Sequence, residues 1–371
     1  MKKYKYWIHS IPEVGDVGIE KLLKKYGSED KVYEAVLRRE KDIGLILNYR
    51  KGYENRSQKI YEFTNNYMLD EEYNKMVNKG IRFITKDDLE YPERLKKIEN
   101  PPYALYVIGD LPQDDVPSVA IIGARNCSEY GTFVANAFGE SLAKAGINII
   151  SGMARGIDGI SQRGALKANG KTYAVLGCGV DVCYPESNLR LYNDIKKSGG
   201  IISIFTPGTE PIKRQFPERN KIVAALADII LVVEAKAKSG TAITVDLALR
   251  MGKDIYAVPG RLTDRLSDGC NRLIKDGAGI ALSPEDIIKD IALMSNLDID
   301  DFEANLYRPQ EDTGILKYVD SVPKSVDEIY ENVKKERKEY TLSQTMCELV
   351  MLSIQGKLVQ VGSNYFYKTL S

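Results

Sequence analysis

Histidine is nearly missing from this chain: of 371 residues, only His9 is one. Metal sites built on two imidazoles are thereby excluded, and Ser-His-Asp or Cys-His chemistry is confined to the extreme amino terminus. Cysteine is scarce and scattered. Cys127, Cys178, Cys183, Cys270 and Cys347 form no CxxC pair. Such an odd set reads as reduced thiols in a reducing compartment, not as a disulfide framework or a zinc ribbon. Apolar runs of the roughly 18 residues that a membrane helix needs are missing too. The basic start Met1-Lys2-Lys3-Tyr4-Lys5 is followed only by Tyr6-Trp7-Ile8 before polar residues, too little for a signal segment. The expectation is a cytoplasmic protein without membrane partner, metal or cofactor. Net charge is absent as well, 52 Lys plus Arg against 52 Asp plus Glu. That excludes a histone-like polyanion wrapper, though not a locally basic groove.

What is present is ample apolar content, 43% of the residues, enough for two or three domains. Charge is uneven along the chain: residues 1–100 carry net +3, residues 101–290 net +1 and residues 291–371 net −4. Asp298-Ile299-Asp300-Asp301-Phe302-Glu303 and Arg308-Pro309-Gln310-Glu311-Asp312 read as a linker that sets off a small tail. The expected division is a helical unit over 1–75, a main domain over 76–294, a linker over 295–316 and a tail domain over 317–371.

In the first segment, Gly15 and Gly18 precede apolar positions Ile19, Leu22, Leu23 and Tyr26, and Gly27 follows. This pattern predicts a tight helical hairpin whose second helix ends at Gly27. Such hairpins can offer backbone N–H groups to a phosphate. The plainer reading, a helical scaffold, is preferred.

The middle segment alternates strands and helices. Short apolar runs at Val119–Gly123, Asn148–Ser151, Lys171–Gly177, Gly200–Ser203, Ile229–Glu234 and Asp254–Val258 are separated by helical patterns. One helix has Val134, Phe138, Leu142 and Ala145 on one face, and another runs from about Gly240 to Met251. Continuous apolar strands between amphipathic helices predict an α/β fold, a Rossmann-like, doubly wound parallel sheet covered on both faces. In the tail, helices are expected from Val326 and over Leu342–Ile354. Two strands flanking Gly362-Ser363-Asn364 then follow, a pattern that resembles a winged helix. That second helix carries no Lys or Arg, so the tail is expected to serve protein contact or regulation and not DNA reading.

Ligands of a doubly wound sheet bind beyond the carboxyl ends of its strands. There the chain places Gly123-Ala124-Arg125 with Ser128, Ser151-Gly152 with Arg155-Gly156, Gly177-Cys178-Gly179, Ser239-Gly240-Thr241 with Thr244, and Pro259-Gly260-Arg261. Small residues let backbone approach a ligand, helix N-termini attract anions, and arginine forks grip phosphate oxygens. A need for tight turns explains one or two such loops well, and five poorly. Lys213-Arg214-Gln215-Phe216-Pro217-Glu218-Arg219-Asn220-Lys221 adds cations around one aromatic ring. That suits a single strand, with phosphates on the cations and a base on the ring. The competing reading is a charged turn with Phe216 tucked into the core.

Two other chemistries fail on pattern. Gly164–Thr172 resembles a P-loop but has five residues between its glycines and precedes a strand instead of following one. No GxGxxG follows the first strand, which argues against a nicotinamide dehydrogenase. An alternative is a Rossmann-type hydrolase of nucleoside monophosphates, with Glu234 or Asp158 as its carboxylate.

Taken in order, these loops resemble the DNA-processing protein A family (DprA, also called Smf), most specifically from about Tyr91 to Ala278. Further matching pieces are Tyr91-Pro92, Pro101-Pro102, Tyr130-Gly131, Ile157-Asp158, Tyr184-Pro185, Asn188 and Ala257-Val258-Pro259-Gly260. The resemblance implies an extended Rossmann domain that binds single-stranded DNA, flanked by a sterile-alpha-motif-like helical domain and a winged helix. It further implies a homodimer, protection of incoming strands in natural transformation, loading of the RecA recombinase, and no enzymatic activity. DNA-contact candidates carried over are Arg125, Lys213, Phe216 and Ser239-Gly240-Thr241. Departures are Gly159-Ile160-Ser161-Gln162, where the family has small residues and a histidine, Ser203–Pro207, and Lys221 in place of an arginine. The full candidate set adds Gly123, Ser128, Ser151, Gly152, Arg155, Gly156, Arg219, Asn220, Lys221 and Thr244, with no catalytic residue.

Overall fold

The structure, a computed structural model, describes residues 1–12, 14–47, 56–295, 314–320, 322–337, 339–354 and 357–368. The expected linker sequences, 298–303 and 308–312, lie outside the described residues. Residues 1–304 and 305–371 form two units.

The first unit begins with helices α1 (Lys2–Ser10), α2 (Asp16–Tyr26), α3 (Glu29–Leu37), α4 (Lys41–Leu47), α5 (Arg56–Asn66) and α6 (Leu69–Asn78). Gly27 ends α2 as expected: its φ is +88° and its N–H donates to the Leu23 carbonyl over 2.8 Å. The expected glycine turn is corrected on one side. Gly15 caps α2, but Gly18 lies inside it, where an added Cβ would come within 3.1 Å of Val14 Cγ1. Trp7, Ile19, Leu22, Val32 and Leu47 are buried in a core that continues into Ala104, Tyr106, Leu176 and Ile201 of the sheet region.

That sheet comprises β1 (Arg82–Thr85), β2 (Ala104–Gly109), β3 (Ser118–Ile122), β4 (Asn148–Ser151), β5 (Thr172–Val175), β6 (Gly200–Ser203), β7 (Ile229–Val232), β8 (Asp254–Ala257) and β9 (Gly279–Ile280). Its order is β1-β2-β6-β5-β4-β3-β7-β8-β9. From β6 to β9 all pairs are parallel, and β2 and β1 extend the β6 edge antiparallel. Every residue of β3 through β7 is buried, as a sheet covered on both faces requires. The covering helices are α7 (Glu93–Lys96), α8 (Glu129–Lys144), α9 (Ile157–Lys167), α10 (Leu189–Ser198), α11 (Gln215–Leu226), α12 (Gly240–Arg250), α13 (Asp268–Lys275) and α14 (Pro284–Ser295). Val134, Phe138 and Leu142 of α8 face inward as the periodicity requires. Gly164 of the P-loop lookalike is a packing residue: an added Cβ would lie 2.5 Å from the Asn136 carbonyl of α8. The strand order reverses between β3 and β7, and there the diverging loops leave a crevice.

In the second unit, β10 (Lys324–Ser325), α15 (Val326–Glu336), α16 (Leu342–Ile354), β11 (Leu358–Val361) and β12 (Tyr365–Lys368) enclose Ile315, Ile329, Leu349, Leu358 and Phe366. The strands run antiparallel in the order β10-β12-β11. Ser325 and Glu328 close a capping box on α15. Both expected helices and the hairpin are present, and β10 is an addition.

Candidate nucleic-acid interface

Loops from the carboxyl ends of β3, β4, β5 and β7 meet at this reversal point. They enclose two adjoining cavities of about 890 and 800 Å³ that share Arg125, Asn126, Ala154, Tyr184, Phe216 and Arg219. Gly123, Lys213, Asn220, Ser239, Gly240, Thr241 and Thr244 line the first, and Gly152 and Arg155 line the second. Twelve of the sixteen expected site residues therefore face one groove.

Phe216 stands at its centre, partly exposed at the start of α11. Gly177 leaves room beneath it: a Cβ there would lie 2.9 Å from Phe216 Cδ1. The guanidinium carbons of Arg125 and Arg219 sit 5.5 and 5.9 Å from the ring centroid. Tyr184 lies 5.7 Å away, centroid to centroid, tilted by 39°. The ring is thus neither tucked into the core nor free on a turn. It is a half-open aromatic platform with a cation on each of two neighbouring positions. Lys213, Arg155, Lys236 and Arg265 are exposed around it.

The N-terminus of α12 opens into the same cavity. Ser239 caps it with extended backbone, at φ −146°. Its Oγ is buried and has no hydrogen-bond partner among the described residues. Free N–H groups of a first helical turn, a spare hydroxyl and nearby Lys236 form a site suited to a phosphate oxygen.

The remaining expected residues hold the groove in shape and do not line it. Ser128 Oγ donates to Glu234 Oε1 over 2.5 Å and accepts from Gly131 N–H, while Ser128 N–H donates to Glu234 Oε2. Ser151 Oγ donates to the Ile121 carbonyl over 2.7 Å and is buried. Gly156 has φ +71°, and a Cβ there would collide with the Ala124 and Arg125 carbonyls. Lys221 is turned away: its Nζ donates to the carbonyls of Glu99 and Asn100, and it lines a different cavity. These residues look like ligand contacts in sequence because small polar residues at strand ends serve turns and caps equally well.

Arg219 does both jobs. Buried, it donates from Nη1 to the carbonyls of Gly152 and Val175 over 2.6 and 2.7 Å, and from Nε to Asn220 Oδ1. It thereby ties the ends of β4 and β5 to α11. Burial lowers its pKa, and the Asp158 carboxylate opposes that shift. Burial raises the Asp158 pKa, and Arg219 opposes it. Asp158 accepts from Gly152 N–H over 3.1 Å.

Both carboxylates of the hydrolase alternative are therefore committed, Glu234 to the start of α8 and Asp158 to the β4 loop. The departures from the family pattern also fall into packing: Ser161 Oγ donates to the Asp158 carbonyl and Gln162 Nε2 to the Tyr173 carbonyl. Sequence reasoning had no role for Tyr184 and overlooked Arg265, which lines the groove from beyond β8. The Tyr184-Pro185 pair was visible, but its distance from Phe216 was not.

A family model described as DNA recombination-mediator protein A matches residues 82–292. The DNA processing protein DprA of Streptococcus pneumoniae is 39% identical over 219 residues, 59% of this chain and 77% of that one. Protein Smf of Escherichia coli is 33% identical over 284 residues, 76% of each chain. The X-ray structure of the S. pneumoniae DprA superposes with a TM-score of 0.65 at 32% identity, covering 78% of this chain and 98% of that one. A Helicobacter pylori DNA processing protein A, solved for its single-stranded DNA binding mode, gives 0.52 at 31% identity, covering 58% of this chain and 98% of that one.

Proposed function

Because the chain belongs to the DNA recombination-mediator protein A family, we propose that it binds single-stranded DNA in the groove at the carboxyl ends of β3, β4, β5 and β7. The observation that carries this is the Phe216 ring, half-open between Arg125, Arg219 and Tyr184. A base stacks on an aromatic face whatever its identity, so the binding is sequence-tolerant. Arg125, Arg155 and Lys213 take flanking phosphates, and the N-terminus of α12 with Ser239, Thr241 and Thr244 takes another. Arg219 shapes the floor.

The finer reading extends this. The protein acts as a homodimer in the cytoplasm, covers incoming or exposed strands, and loads the RecA recombinase in transformation or recombination. Its amino-terminal helices form a sterile-alpha-motif-like unit and its tail a winged helix. The groove works by binding alone. Hydrolysis of a nucleotide needs a carboxylate free to handle a proton, and Glu234 and Asp158 are each held by backbone N–H donors.

Fluorescence anisotropy of a labelled oligo-dT tests the reading. Saturable binding that weakens with salt and is matched by oligo-dC supports it. No binding at low salt overturns it.

A further inference from the structure

We infer that the carboxy-terminal unit is a docking module for a basic amphipathic helix of another protein. Along α16, Leu342, Met346 and Val350 recur every four residues, and with Cys347, Met351 and Val326 they line an open groove of about 540 Å³. Leu342 is 43% exposed and Met351 53%, although the core of this unit is already filled by Leu349, Ile329 and Phe366. Met346 and Val350 pack partly against that core, whereas the exposed Leu342 and Met351 are surplus to it. Contiguous apolar surface of this kind marks a contact for another molecule, and methionine adapts to a helical ligand's side chains.

The neighbouring surface specifies the charge of that molecule. Asp327 lines the apolar groove and also an adjoining depression with Glu328, Glu331, Asn332 and Lys324, whose ammonium is paired with Asp320 over 2.7 Å. Asp327 and Glu331 lie one turn apart on α15, are exposed, and have no ion-pair partner among the described residues. Glu328 is turned to the Ser325 cap. An apolar trough beside two free carboxylates fits a helix with aliphatic anchors at i, i+4 and i+8 and lysine or arginine beside them. A DNA duplex fits poorly: α16 offers it no cation, and the rim repels phosphate. A second copy of this surface would set carboxylate against carboxylate.

The test uses the full chain and two fluorescein-labelled 18-residue helical peptides. Both carry leucine at i, i+4 and i+8. One has lysine and the other glutamate at the flanking positions. The lysine peptide should bind at least tenfold more tightly. Leu342→Glu/Met351→Glu should abolish that binding, and Asp327→Lys/Glu331→Lys should reverse the preference. All four positions are exposed, and unchanged circular dichroism and an unchanged urea-unfolding transition of the carboxy-terminal unit confirm that each variant is folded. Equal affinity for the two peptides, or undiminished binding by folded variants, overturns the inference. So does loss of self-association or of duplex DNA binding in Leu342→Glu/Met351→Glu, which would assign the face to a second copy or to DNA.

Discussion

The Arg125 guanidinium carbon lies 5.5 Å from the centre of the Phe216 ring, although Arg125 follows β3 and Phe216 opens α11 after β6, three strands away in the sheet. One residue offers charge and the other a π-face. Separate loss of each should therefore produce separate signatures.

Phe216→Ala should weaken oligo-dT binding by about 1–3 kcal/mol, the worth of one stacked base. Phe216→Trp should retain most of it. Equilibrium anisotropy against a fixed salt concentration checks both.

Arg125→Ala should act on the salt dependence instead. Removing one phosphate contact lowers the slope of log K against log salt by about 0.7 for a single strand. Lys221→Ala should leave that slope unchanged, because its ammonium is spent on the Glu99 and Asn100 carbonyls. Parallel salt titrations of the two variants separate these outcomes.

Glu234→Ala should act on stability. It strips the acceptor from the Ser128 N–H and hydroxyl, and leaving such donors unpaired costs about 1–3 kcal/mol. Urea unfolding should show the loss. Gly156→Ala should be worse than its size implies, since φ +71° and two facing carbonyls leave no place for a Cβ.

His9 predicts a pH dependence. Burial lowers its pKa from 6.5 to about 4, and its Nδ1 lies 2.9 Å from the Tyr106 hydroxyl. The unfolded chain takes up a proton near 6.5 while the folded chain resists until about 4. Stability should thus be fully present above pH 6.5 and fall as pH drops toward 4, by on the order of 3 kcal/mol. His9→Gln should flatten that part of the profile in urea titrations at stepped pH.

The parallel core was legible because strands buried on both faces are largely apolar, throughout in Ile229–Val232 and at the centre of Asn148–Ser151. Gly27 was legible because a left-handed helix end has few alternatives. The antiparallel pair β1 and β2 was not, since its partner strand β6 lies about a hundred residues away in sequence. In the groove, residue types pointed to the right loops, but they could not tell Arg125, which faces the ligand side, from Ser128 and Ser151, whose hydroxyls serve Glu234 and Ile121. That distinction depends on which way a side chain turns, and only the fold supplies it.

The central claim is that single-stranded DNA lies across Phe216 and Arg125. It is tested most directly by an anisotropy titration of oligo-dT with wild type, Arg125→Ala, Phe216→Ala and the double variant, each over a salt series. The account predicts a reduced salt slope for the first variant, an unchanged slope with reduced affinity for the second, and collapse of binding in the folded double variant. A folded double variant that binds as tightly as wild type, with the same salt slope, would contradict it.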